Sequence, residues 1–83
     1  MAIRVRVLYF AQARDAAGTG GEYVEIPSSS SVKSLLAESM RSHEGLREMS
    51  GSMRVAVNEE MAREEDLLAD GDTVAFLPPV AGG

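Results

Sequence analysis

Near the start of the chain, Ile3, Val5, Val7 and Tyr9 alternate with Arg4 and Arg6, the two-residue period of a strand with one buried face. The alternation then changes, because Leu8 and Phe10 place apolar side chains on the face that began polar. Residues 11–17 read as a polar, alanine-rich turn region. Gly18, Thr19, Gly20 and Gly21 read as a hairpin connection, since no phosphate-loop spacing and no following lysine occurs there. Glu22 to Ile26 predicts a short second strand with Val24 and Ile26 inward, ended by Pro27. Ser28 to Ser31 offer N-cap oxygens just before Val32, Leu35, Leu36 and Met40, whose spacing predicts a helix with Lys33, Glu38 and Arg41 outward, His43 near its end and Gly45 as its C-cap.

Leu46 to Ser52 is irregular, with Leu46 and Met49 closing the edge of the core. Met53 to Asn58 predicts a third strand with Met53, Val55 and Val57 inward, and Asn58 starts a turn. Glu59 to Asp66 reads as a solvated charged connection, with Leu67 and Leu68 as anchors behind it. Asp70, Gly71 and Asp72 form a turn, and Thr73 to Leu77 the last strand, with Val74 and Phe76 inward. One helix covering one face of one sheet predicts an α+β layer, with the first and last strands side by side in its middle. Leu8, Phe10, Ala75 and Leu77 then share the uncovered face as a candidate docking patch, unless the segment after Phe10 folds over it.

Composition narrows the chemistry. A chain of 83 residues is one domain that buries about 60–65% of its unfolded surface. The absence of cysteine excludes disulfides, thiolate metal sites, iron–sulfur ligation and a cysteine nucleophile. No 18-residue apolar run occurs, so the expectation is a soluble, untargeted, cytoplasmic protein. A formal charge of −5 argues against nucleic acid and anionic membrane as partners and fits partners with basic surfaces. The acidic run Glu59, Glu60, Glu64, Glu65 and Asp66 lacks calcium-loop spacing, and no metal site is expected. His43 stands alone, as a helix-end residue, and Met40, Met49, Met53 and Met61 read as core filler. No constellation of nucleophile, base and orienting group exists in the chain.

The candidate chemistry lies at the end. Pro78 and Pro79 fix φ and supply no N–H, so the last strand stops at Leu77 and the chain leaves the sheet extended. Two parts follow: a folded domain, 1–77, and an extended, flexible tail, 78–83, that reaches at most roughly 20 Å. Gly82 and Gly83 are thin enough to enter a narrow channel in another protein. The terminal carboxylate is an anion at neutral pH and a poor electrophile, so it must be activated before it can carry anything. Activation by a partner enzyme followed by capture of sulfide or an amine suits such a tip. An inert frayed terminus is the alternative.

The run Asp70 to Gly83, with its DGD turn, apolar strand, Pro-Pro-Val and terminal Gly-Gly, closely resembles the small, sulfur carrier subunits of molybdopterin synthase, the MoaD-like branch of the MoaD/ThiS ubiquitin-like family. Val7 to Arg14 and the pair Val57, Asn58 are similar to the same family. The resemblance implies a ubiquitin-like β-grasp fold. It also implies that Gly83 is adenylated by an E1-like adenylyltransferase using ATP and magnesium, with no cofactor resident in this chain. A persulfide donor of the cysteine desulfurase or rhodanese type would then supply sulfur, giving a C-terminal thiocarboxylate. The tail would enter the large subunit, in an expected heterotetramer, where two sulfur transfers convert cyclic pyranopterin monophosphate into molybdopterin. By the same analogy Phe10 and Leu77 sit in the partner interface. Leu8, beside them on that face, and Pro78, Pro79, Val80 and Ala81 beyond the last strand are further candidate contacts; Arg14, after the first strand, reads as meeting an acidic partner surface or as an exposed loop arginine. Leu77 stands where the family often has an aromatic residue, and Ala81 where threonine is frequent. A carrier for a thiazole-type pathway and a ubiquitin-like modifier of lysines remain the alternatives.

Overall fold

In the computed structural model, which describes residues 1–79, strand β1 (Ala2–Tyr9) lies beside β2 (Gly21–Pro27), antiparallel, and on its other flank beside β5 (Thr73–Leu77), parallel. β3 (Arg54–Val57) continues the sheet from β5, and the short β4 (Glu60–Met61) ends it, giving the order β2-β1-β5-β3-β4. The two central strands are thus the first and the last, as expected from the sequence. One main helix, α2 (Val32–Ser42), packs on one face of this mixed sheet.

Burial follows the alternation. Val5, Val7 and Tyr9 from β1, Ile26 from β2, Val55 from β3, and Val74 and Phe76 from β5 meet Val32, Leu35 and Leu36 of α2, with Leu46 and Leu68 sealing the margins. Ile3, Val24, Met40, Met49, Met53 and Val57 pack against this core while partly exposed. Ser31 caps α2, its hydroxyl accepting from the Ser34 N–H at 3.1 Å. The next two orphan donors of the first turn are met from the charged connection: the N–H groups of Val32 and Lys33 donate to the carbonyls of Asp66 and Glu64, each at 2.9 Å. That connection therefore caps the helix with its backbone while its carboxylates face water.

Several local expectations are corrected. Residues 11–17 form a helix, α1 (Ala11–Ala17), ended by Gly18 in the left-handed conformation at φ 77°, its N–H bonded to the Arg14 carbonyl. Alanine is the strongest helix former, and burial of Ala13 fixes this turn-like composition as a helix. The β1–β2 connection is consequently a helix and a short loop, not a tight hairpin. A hairpin does form between β3 and β4, because Asn58 (φ 51°) and Glu59 (φ 73°) both adopt left-handed conformations, the requirement of a two-residue reversal. α2 ends at His43 rather than at Gly45, and residues Glu44–Ser52 continue as a 3-10 segment. Gly45 serves a close approach instead: a Cβ there would stand 3.0 Å from the Ala16 Cβ of α1. Leu68 is buried as an anchor, but Leu67 is exposed, and Met61 is on the surface rather than in the core.

Candidate functional site

The face of the sheet opposite α2 is uncovered, and register fixes who shares it. Leu8 of β1 pairs with Gly21 of β2 and Ala75 of β5; Ala75 pairs with Ala56 of β3, and Ala56 with Met61 of β4. A row of glycine and apolar residues thus crosses all five strands. Leu77, one pleat further along β5, pairs with Arg54. Leu8, Ala75 and Leu77 are each partly exposed, and Phe10, just past β1, is 46% exposed. The patch expected from broken alternation is therefore assembled, and α1 does not cover Phe10.

The backbone turns sharply beside it. Ala11 has φ 49°, a left-handed conformation that costs an L-residue roughly 1–2 kcal/mol, and the carbonyl of Phe10 accepts from the Ala13 N–H at 3.0 Å. This turn starts α1 directly behind an outward phenyl ring. Gly21 leaves a shallow depression lined by Arg6, Leu8, Gly20, Glu22 and Tyr23. The Arg14 side chain runs past Gly20, its Nε 3.6 Å from where a Cβ would stand. At the other end of the patch, Ser52, Met53, Arg54, Leu77, Pro78 and Pro79 line a groove where the chain leaves β5. Val80, Ala81, Gly82 and Gly83 lie outside the described residues.

The electrostatics of this face differ from those of the chain. A net charge of −5 suggests basic partners, yet the strand positions that face outward carry Arg4, Arg6 and Arg54 against the single carboxylate of Glu25. Tyr23 and Arg54, which periodicity alone left unassigned, join the face through their pairing with Arg6 and Leu77. Strand parity could have found them once the β3–β5 register was fixed.

His43 is placed away from the patch, at the end of α2. Its Nε2 lies 2.8 Å from Glu22 Oε2, the same oxygen that accepts from the Tyr9 hydroxyl at 2.5 Å, and its ring meets Tyr9 edge-on at 5.6 Å. Burial alone would push the Glu22 carboxyl up, but the bonds from Tyr9 and His43 and the charge of His43 outweigh it and hold it below the usual carboxylate range. The Tyr9 hydroxyl is pushed well up, by burial first and then by Glu22. This cluster ties β1, β2 and α2 together. Among the described residues no set of three metal-ligating side chains converges, and no helix is long and apolar enough to cross a membrane.

A mixed sheet ordered 2-1-5-3-4 with one main helix across one face defines a ubiquitin-like β-grasp protein. The chain belongs to the ThiS family, whose model matches residues 7–83. It is 39% identical to a molybdopterin synthase sulfur carrier subunit from Mycobacterium tuberculosis, covering 98% of this chain and 99% of that one. With the subunit of the same name from Chlamydomonas reinhardtii it shares 35% identity, over 98% of this chain and all of the relative. Among solved structures, a molybdopterin converting factor subunit 1 from Pyrococcus furiosus superposes with a TM-score of 0.85 at 32% identity, covering 94% and 99% of the two chains. A chain from the complex of subunits 1 and 2 of the molybdopterin-converting factor of Helicobacter pylori gives a TM-score of 0.68 at 28% identity, over 98% and 100%. The modifier protein SAMP1 of Haloferax volcanii gives 0.84 at 26% identity, over 96% and 99%.

Proposed function

We propose that this chain is the sulfur carrier subunit of a molybdopterin synthase and that its reacting atom is the carbonyl carbon of Gly83. The supporting observation is the near full-length similarity to sulfur carrier subunits of that name, together with a last strand that ends at Leu77 and two prolines beside an open apolar face. An E1-like adenylyltransferase converts the carboxylate to an acyl-adenylate with ATP and magnesium, releasing pyrophosphate. The outer sulfur of a persulfide donor, of the cysteine desulfurase or rhodanese type, displaces AMP to give an acyl disulfide with the donor; a second thiol then cleaves its S–S bond, forming a disulfide with the donor cysteine and releasing the thiocarboxylate. The tail, Pro78 to Gly83, then enters the large subunit, where the thiocarboxylate sulfur bonds to cyclic pyranopterin monophosphate and water cleaves the resulting thioester, leaving a thiolate on the pterin and restoring the carboxylate. Leu8, Phe10 and Leu77 seat the body on its partner, with Arg14, Pro78, Pro79, Val80 and Ala81 flanking the entry and Gly82 thinning the tip. The cytoplasm, where ATP is available, is the proposed compartment.

Intact-mass measurement after incubation with the cognate activating enzyme, ATP and a sulfur source tests this. Replacement of one oxygen by sulfur at the terminus is expected, and a chain that stays unmodified with active enzymes sinks the reading. The likeness to a small archaeal modifier favours one second reading, in which Gly83 is joined to lysines. Lysine-linked conjugates in place of a thiocarboxylate would establish it.

A further inference from the structure

The open face is apolar along one row and cationic on both sides of it. Arg4 and Arg6 follow one another on β1 toward its N-terminal end, and Arg54 on β3 pairs with Leu77 toward the root of the tail. All three are exposed. The Arg4 guanidinium carbon lies over the Tyr23 ring, 4.9 Å from its centroid, a cation–π contact between neighbouring strands. Glu25, opposite Arg4 on β2, is the one strand carboxylate on this face and makes no ion pair with it within 4 Å; in the adjoining turn Asp70 accepts from the backbone N–H of Arg4, and Asp72 from Ala69 and Asn58. Among the described residues neither Arg4, Arg6 nor Arg54 makes an ion pair within 4 Å, although the chain carries five more acids than bases. Arg6 also lines the shallow depression beside Gly21, together with Leu8 and Tyr23.

Guanidinium groups left unpaired on the one uncovered face of an acidic protein call for carboxylates from elsewhere, since the planar fork matches a carboxylate with two parallel bonds. We infer that Arg4, Arg6 and Arg54 form a cationic frame that steers the carrier onto the large subunit, whose docking surface carries acidic side chains on both sides of an apolar strip. This rests on the proposed function. Polyanions such as nucleic acid also pair with arginine, but the net charge of −5 repels them at longer range.

Association of the intact carrier with the cognate large subunit is measured by stopped flow at several salt concentrations. Three proteins are compared: wild type, the variant Arg4→Gln/Arg6→Gln/Arg54→Gln, and the variant Lys33→Gln/Arg41→Gln/Arg47→Gln. The second triple removes the same charge from the helical side, and thermal unfolding confirms that both variants fold. The open-face variant is expected to associate about tenfold more slowly at low salt, the difference closing at high salt, while the helical-side variant slows far less. Equal rates and equal salt dependence for the two variants overturn the cationic frame and leave the carrier function standing. Arginine dependence seen only with the activating enzyme assigns the frame to a different occupant and overturns this one. Failure of wild type to bind the large subunit under any condition, or to become thiocarboxylated, overturns the carrier function itself.

Discussion

Glu22 Oε2 receives Tyr9 and His43 together, and its behaviour sets how the fold responds to pH. Its carboxyl is held below the ordinary value of 4.5, so its stabilising contribution is complete above the unfolded value and disappears as pH falls through the folded one. Tyr9 is shifted the other way from 10.0, so its contribution is present below that value and is lost as the pH rises beyond it. Tyr9→Phe removes a donor from a charged acceptor and is expected to cost about 1–2 kcal/mol at pH 7. The same change relaxes Glu22 toward its ordinary value, so the acid side of a plot of unfolding free energy against pH should flatten. Denaturant titrations from about pH 3 to about pH 8, which bracket the ordinary carboxylate range, check both. A cost that leaves the acid side as steep as in wild type would show that Tyr9 contributes through packing alone. At the candidate interface, Phe10→Ala should shift stability by less than about 0.5 kcal/mol, because the ring is 46% exposed. If Phe10 anchors the large subunit, the same change weakens that complex by tenfold or more, measurable by calorimetry.

Between elements, the turn at residues 70–72 does more than reverse the chain. The N–H of Gly71 donates to the Arg4 carbonyl and that of Arg6 to the Asp72 carbonyl, both at 2.9 Å, so the turn binds β1 and sets β5 parallel to it. Asn58 completes the join, donating to Asp72 Oδ1 and accepting from the Thr73 N–H at 3.0 Å. Asn58→Ala loses both bonds and places alanine at φ 51°, and it is expected to lower stability by about 1–3 kcal/mol. Asn58→Gly, which accepts that backbone, should recover part of the loss; equal melting temperatures for the two would show that the side-chain bonds alone matter. Gly45→Val is expected to cost about 1–3 kcal/mol by driving α1 from the 3-10 segment. The strands with strict alternation, Ile3 to Tyr9 and Thr73 to Leu77, were legible because each has one face in the core and one outside. Leu8, Phe10 and Leu77 were legible for the opposite reason, being apolar where parity demands polarity. α1 was not, since its seven residues bury only Ala13 fully and carry no helical stripe. β4 was not, because Glu59 stands where glycine usually signals such a reversal. The cationic frame was hidden by net charge, which sums over faces that the fold separates.

At the scale of the whole molecule, the body and the tail are separable in the proposed function. Gly83 lies beyond the last strand, so its deletion should leave the thermal unfolding transition unchanged while abolishing sulfur transfer to the pterin. A truncated chain that still supports molybdopterin formation with the large subunit would refute the assignment of Gly83. The sheet order also bears on how the chain is made. β1 has no central neighbour until β5 exists, and β5 contributes Val74 and Phe76, both fully buried. A nascent or clipped chain ending before residue 73 therefore leaves β1 and β3 with unpaired edges and a core lacking Val74 and Phe76, a species expected to be captured by proteases rather than by partners. Because the strand that finishes the sheet is also the one that leads into the last residues, only chains translated through Leu77 can close the core, whereas the loss of Gly83 alone escapes that check.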